Sequence, residues 1–168
     1  VLALVIVFGL QGLGDWRMFS VAPWSWSGLL GLVTAPLLHG SPSHLIANAS
    51  ALLLLGTLAL AVYPRATVLA LPLMWVGSGL GAWLLGAPGS HHLGASGVTH
   101  GLMFLVFVLG LLRRDRPSIA AGMIAFLFYG GMLLTILPQE PGVSWQSHMG
   151  GAIGGVIAAF ASRNRDPR

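Results

Sequence analysis

Long apolar segments, separated by short polar ones, dominate the chain. Six of them lie at about residues 1–13, 43–62, 66–86, 94–112, 118–138 and 147–162. A helix needs about 20 apolar residues to cross a bilayer, and these segments are apolar on every face rather than along one stripe. The pattern predicts an all-α membrane protein, a single domain over residues 1–168 with six transmembrane helices, and excludes a soluble helical protein. Because Val1 lies directly in apolar sequence, we expect the first helix to be truncated at its N terminus.

Charge is scarce along the chain and has one predominant sign. Of the 168 residues, 55% are hydrophobic and 7% are charged, whereas an ordinary soluble domain is about a quarter charged. All eight basic residues are Arg, and the net charge is +4. They lie in turns and in the tail without interleaved aromatic residues, which is typical of membrane orientation and not of nucleic-acid binding. The absence of Cys excludes disulfide and thiol chemistry.

The distribution of Arg predicts the topology. If all six segments cross the membrane, only Arg17 lies on one side, and the other side carries Arg65, Arg113, Arg114, Arg116, Arg163, Arg165 and Arg168. The positive-inside rule makes that second side cytoplasmic. The loops at 14–42, 86–93 and 139–146 then face outward. The second, fourth and sixth helices therefore all begin at the outer face.

Polar side chains lie at the beginnings of those same three helices. His44 and Asn48 are four residues apart on one face of the second helix, Ser96 begins the fourth, and His148 begins the sixth. An ionisable side chain within a span is costly and indicates function by default. For His44 and Asn48 alone, the alternative is hydrogen bonding between neighbouring helices. The shared depth of all four residues predicts one site near the outer face.

Ser96 and His148 are the candidate catalytic pair. Ser96 lies in the sequence GASG, where small residues permit a compact backbone and free helix N–H groups can face an oxyanion. A nucleophilic Ser needs a base. Gly151 and Gly155 share a helical face with His148, so another helix can approach closely there. Because no Asp or Glu lies within a predicted span, the pair would be a dyad.

Three motifs in this order resemble the rhomboid family of intramembrane serine proteases. They are His39-x4-His44-x3-Asn48, GASG with Ser96, and His148-x2-Gly151-x3-Gly155. The resemblance covers essentially the whole chain and implies a rhomboid-like bundle of six transmembrane helices. The chain departs from many relatives at two places. It has Leu30-Gly31 where they have Trp-Arg in the first loop, and His100 where they have an aromatic residue one turn after the nucleophile.

The family implies a role for each matching residue. Ser96 would attack the scissile carbonyl, and His148 would take and return its proton. The Ser96 amide and the side chains of His44 and Asn48 would form the oxyanion hole. Supporting residues would be His39, Gly94, Gly97, His100, Gly151 and Gly155. Among these, His39 would help to hold the first loop, while His100 would stack on His148, hydrogen-bond to it, or serve only in packing.

The family also implies the setting of the reaction. Substrates would be transmembrane helices of other proteins in the lipid bilayer, and the site would face the extracytoplasmic side of a bacterial inner membrane through a water-filled cavity. Neither a cofactor nor a metal ion is expected. Substrate would approach laterally past the fifth helix, where Gly130-Gly131 would loosen the packing. The sequence does not predict the oligomeric state.

Three alternatives fit part of the pattern. A catalytically inert rhomboid-like protein would bind transmembrane clients without cutting them, but Ser96 and His148 are both present. A metalloprotein would use the outer-face histidines His39, His44, His91, His92 and His148, yet the chain has no HExxH and no carboxylate within a span. A transporter would have broken helices at the midplane and inverted repeats.

As loop residues, His91 and His92 are expected to be solvated or to cap a helix.

Overall fold

A computed structural model describes residues 1–138 and 142–166, and all regular elements in that part of the chain are helical. The first helix, α1, spans Leu2–Gln11. A long first loop follows, with 3-10 turns at Arg17–Phe19, Ser27–Leu29 and Ala35–Leu37 and the one-turn helix α2 at Gly31–Thr34. The five long helices are α3 Pro42–Val62, α4 Pro64–Leu85, α5 Ser96–Arg113, α6 Arg116–Tyr129 and α7 Trp145–Ser162. Residues 139–141 of the predicted outward loop, and Arg168 of the tail, lie outside the described residues.

Four helical segments are long and apolar enough to cross a membrane. They are 42–62, 64–85, 96–113 and 116–133, the last being α6 with the 3-10 turn Gly130–Leu133 that follows it. Helix α1 has only ten residues, and α7, which begins with polar residues, falls outside this set. The helical membrane bundle is therefore supported, and the count of six crossings stays a prediction.

All helix beginnings agree with the sequence pattern to within two residues, and local signals mark those of α3, α4 and α6. Pro42 and Pro64 occupy first helical positions, where a missing N–H costs nothing. The Ser41 hydroxyl accepts a hydrogen bond from the His44 amide at 3.1 Å, and the Asp115 carboxylate accepts one from the Ser118 amide at 2.9 Å. The first of these caps fixes the turn of α3 that carries His44.

The fifth helix is shorter than predicted. The apolar segment continues to residue 138, but the α-helix ends at Tyr129, and 3-10 and irregular turns follow it. Gly130 and Gly131 explain the break, because Gly costs about 1 kcal/mol relative to Ala in a helix interior. Residues 130–138 thus leave the helix axis beside the beginning of α7.

Helix α7 packs against α4 and α5 with its glycines facing their backbones. A Cβ at Gly151 would overlap the Gly97 carbonyl oxygen, and one at Gly155 would overlap that of Gly101. This close approach determines how far His148 lies from the beginning of α5. The largest apolar core includes Leu55, Leu102 and Leu109. It fills the half of the bundle that lies away from the beginnings of α3, α5 and α7.

Candidate active site

A cavity of about 1010 Å³ lies where α3, α5 and α7 begin. Its lining includes His44, Asn48, Ser96 and His148, the four residues that the helix topology predicts at one depth. The loop between α4 and α5 and the residues before α7 complete the wall. Polar groups from three separate helices therefore converge on one cavity at one end of the bundle.

Ser96 and His148 are in direct contact. The Ser96 Oγ lies 2.9 Å from His148 Nε2, and His148 Nδ1 lies 2.9 Å from the backbone carbonyl oxygen of Thr135. A carbonyl oxygen can only accept, so Nδ1 carries the proton of the neutral ring and Nε2 accepts from the Ser96 hydroxyl. Ser96 is also the first residue of α5, so its amide has no intrahelical partner. This arrangement places a basic nitrogen on a potential nucleophile.

His44 and Asn48 converge on Gly94, two residues before Ser96. A Cβ at Gly94 would stand 2.6 Å from His44 Cε1, 2.7 Å from His44 Nε2 and 3.5 Å from Asn48 Nδ2. Gly94 has a φ of +115°, which L side chains rarely adopt. Asn48 is 5% exposed, and its Nδ2 has no hydrogen-bond partner among the described residues. The site thus holds an unused donor next to the Ser96 backbone.

His100 stacks on His148 and makes no hydrogen bond to it. The ring centroids are 3.9 Å apart and the planes differ by 12°. His100 Nδ1 lies 2.6 Å from the Ser96 carbonyl oxygen, and Nε2 lies 2.8 Å from the Thr135 hydroxyl. Of the roles considered for His100, the geometry matches stacking. Thr135, which bonds to both rings, has no signal in the sequence pattern.

His39 lies behind His44 in the first loop. Its side chain is 1% exposed and packs edge-on against His44, with centroids 5.1 Å apart. The Gln11 side chain from α1 accepts from the His39 amide at 3.0 Å and donates to its carbonyl at 3.1 Å. Burial, with the neighbouring His44 adding to it, lowers the pKa of His39 to about 4. The ring is therefore neutral, and its backbone ties α1 to the first loop.

His92 is buried rather than solvated, with 9% of its side chain exposed. Its Nδ1 lies 2.6 Å from the Ser144 hydroxyl and its Nε2 lies 2.9 Å from the Ser90 hydroxyl. Burial, and then the neighbouring His91, lower the pKa of His92. The exposed His91 contacts Ser20 at 2.8 Å. The contacts with Ser144 and Ser20 join residues that are 52 and 71 positions apart, so no local sequence signal predicts them.

Residues 1–138 and 142–166 contain no group of three His, Asp or Glu side chains that could hold a metal ion. The outer-face histidines contact serines, backbone carbonyls or one another. The metalloprotein alternative therefore has no geometric support in this part of the chain.

Comparison with known proteins gives one family. The model of the Rhomboid domain matches residues 25–165. Proteins from Mycobacterium tuberculosis and Mycobacterium bovis, both described as uncharacterized, are 40% identical over 148 residues, which is 83% of this chain and 62% of each relative. One from Mycobacterium leprae, also described as uncharacterized, is 40% identical over 141 residues, 79% of this chain and 55% of its own length. The chain thus spans less than two thirds of these relatives.

Proposed function

This chain belongs to the rhomboid family, and from that membership we propose that it is an intramembrane serine endopeptidase that cuts other membrane proteins in or near their transmembrane helices. It is a helical integral membrane protein. The observation that carries the proposal is the 2.9 Å contact between Ser96 Oγ and His148 Nε2 at the wall of a polar cavity.

The proposed reaction is acyl transfer to Ser96 followed by hydrolysis. Ser96 Oγ attacks the scissile carbonyl carbon while its proton passes to His148 Nε2. The tetrahedral intermediate collapses when His148 returns that proton to the leaving amine. A water molecule, deprotonated by the same nitrogen, then cleaves the Ser96 ester. Positioned acid–base catalysis of this kind contributes about 10²–10⁴-fold in rate.

Three donors are proposed to stabilise the oxyanion, namely the Ser96 amide and the side chains of His44 and Asn48. This assignment is supported by the convergence of both side chains on Gly94 and by Asn48 Nδ2, which has no partner within residues 1–138 and 142–166. A buried donor without a partner costs folding free energy. Such a cost is expected where the donor stabilises a negative charge that forms only during the reaction. One such donor is worth about 10²–10³ in rate.

The proposed setting is the inner membrane of a bacterium, with six crossings and the cavity open to the extracytoplasmic side. The Arg-rich helix ends support the orientation, and the Mycobacterium relatives support a bacterial source. One rhomboid-type domain over residues 1–168 is part of the proposal. A substrate helix must unwind before its carbonyl can be attacked, so small or helix-breaking residues near its outer end favour cleavage. The broken end of α6 after Tyr129 is the proposed approach.

The test is labelling of the detergent-solubilised protein with a fluorescent fluorophosphonate probe. We expect the parent to label and both Ser96→Ala and His148→Ala to lose the label. Ser144→Ala and Ser90→Ala are matched controls, because each removes a different serine that contacts a histidine at the same cavity; both should still label. Loss of labelling in Ser144→Ala alone would move the nucleophile to that residue.

A folded parent that does not label would favour the inert, client-binding alternative. If it labels, the protease activity itself is tested in proteoliposomes with a single-span substrate that carries Gly residues near its outer end. Cleavage by the parent and not by Ser96→Ala is the expected result. If the protein labels but cleaves no single-span substrate, Ser96 is a reactive serine and the protease proposal fails.

A further inference from the structure

The candidate dyad has no carboxylate partner in the part of the chain that the structure describes. Asp15 bonds to the Arg17 amide at 3.0 Å, and Asp166 bonds to the first turn of α4. Asp115 caps α6 at the Ser118 amide. In a serine–histidine–aspartate triad, a carboxylate holds the tautomer and the orientation of the imidazole. Some other group must do this for His148.

Thr135 contacts both rings of the stacked histidine pair. Its carbonyl oxygen lies 2.9 Å from His148 Nδ1, and its hydroxyl lies 2.8 Å from His100 Nε2. His100 Nδ1 faces the Ser96 carbonyl oxygen at 2.6 Å and must donate to it. The neutral His100 ring therefore accepts from the Thr135 hydroxyl at Nε2, and the same hydroxyl lies 3.2 Å from the Met132 carbonyl oxygen. A closed ring of hydrogen bonds joins Ser96, His148, Thr135 and His100.

The early end of α6 makes this contact possible. In a continuous α-helix a carbonyl points along the axis at the amide four residues later. The backbone leaves the α-helix at Tyr129 and turns through Gly130–Leu133, so Thr135 lies on an irregular segment. Its carbonyl can then face a side chain of α7, 13 residues further along the chain.

We infer that Thr135 is the positioning residue of this site. Its backbone carbonyl keeps the proton of His148 on Nδ1, and its hydroxyl, bonded to His100, holds that carbonyl in place. Thr135 touches neither the substrate nor the reacting atoms in this scheme. The inference rests on the proposed function for the meaning of His148 as a base, but the tautomer itself is a property of the resting protein.

The test compares Thr135→Val, Thr135→Ser and the control Thr34→Val in full-length protein labelled with ¹⁵N-histidine. The Val side chain has the shape of Thr but lacks the hydroxyl, whereas Ser keeps the hydroxyl. Thr34 is a half-buried threonine whose hydroxyl also bonds to backbone carbonyls, at 2.6 and 3.0 Å, but in the first loop. The readouts are the ¹⁵N shifts of His148, assigned by their loss in His148→Gln, and the rate of fluorophosphonate labelling as a function of pH.

We expect Thr135→Val to lower the Nδ1–H population of His148, to change the pH profile of labelling and to slow labelling on the order of tenfold. Thr135→Ser and Thr34→Val should resemble the parent. His100→Phe, which keeps a stacked ring but cannot accept from Thr135, should reproduce the effect. The double variant Thr135→Val/His100→Phe should then label no more slowly than either single variant, because the two residues act as one unit.

The inference is overturned if folded Thr135→Val, or His100→Phe should Thr135→Val not fold, keeps the Nδ1–H tautomer and the pH profile of the parent. It stands, and the protease proposal fails, if the tautomer changes as expected while the parent protein shows no labelling at all. The NMR and labelling readouts therefore separate the two ideas.

Discussion

A methyl group at Gly94 perturbs the proposed oxyanion hole without removing any of its donors. The Cβ of Gly94→Ala would stand 2.6 Å from His44 Cε1, and an ordinary contact is 3.4 Å, so the His44 ring must retreat by about 0.8 Å. Misplacement of a catalytic group by about 1 Å costs on the order of 10²-fold in rate. We therefore expect labelling of Ser96 to slow by about 10²-fold, with substrate cleavage reduced to a similar degree.

The φ of +115° at Gly94 adds backbone strain, which the experiment must separate from the contact with His44. Such strain costs about 1–3 kcal/mol of stability. Gly89→Ala is the matched control, because Gly89 has a φ of +81° in the same loop but open space around its Cβ position. Both variants should unfold at a lower temperature than the parent, and only Gly94→Ala should lose labelling. Equal labelling of two folded variants would refute the reasoning.

The remaining predictions concern helix packing, pH and capping. Gly151→Ala places a methyl group on the Gly97 carbonyl oxygen, so we expect about 1–3 kcal/mol of lost stability in thermal unfolding and at least tenfold slower labelling. Because the pKa of His39 is about 4 folded and 6.5 unfolded, the unfolded state binds the proton first below pH 6.5. Stability should therefore fall by up to about 3 kcal/mol between pH 6.5 and 4, and this loss should be smaller in His39→Phe. Asp166→Asn weakens bonds of 2.9 and 3.1 Å to the first turn of α4 and should cost about 1 kcal/mol, whereas Asp15→Asn, in an exposed loop, should cost little.

The helices and the convergence of the polar residues were predictable because they depend on strong, local signals. Bilayer-length apolar segments located α3 and α4 to within two residues. The alternation of helix direction then placed His44, Ser96 and His148 at one end of the bundle, where the cavity lies. Their chemical roles stay predictions, since geometry does not measure reactivity.

The Thr135 contacts were not predictable, because the decisive group is a backbone carbonyl that every residue type has. Its availability depends on where α6 ends, and hydropathy stays high past that point. The first loop gives a second example at Leu30-Gly31, where the family resemblance implies Trp-Arg in many rhomboid proteins. A Cβ at Gly31 would overlap the backbone of Ser20 and Val21. At this point two backbone segments of the first loop pack directly against each other. A comparison of side chains does not predict such a contact.

In the proposed site, alignment of the base depends on helix packing and on a backbone carbonyl rather than on a carboxylate. A carbonyl holds the tautomer of His148 but stabilises the protonated ring less than a carboxylate does, so accurate placement must contribute more. That placement comes from the contact of Gly151 with Gly97 on one side and from Thr135 on the other. Thr135 lies on the same segment past which a substrate helix is proposed to approach. A substrate that displaces this segment would therefore release His148 Nδ1, and the base would be aligned again only when the segment returns. In the proposed scheme, approach of substrate and alignment of the base would then be coupled through one residue.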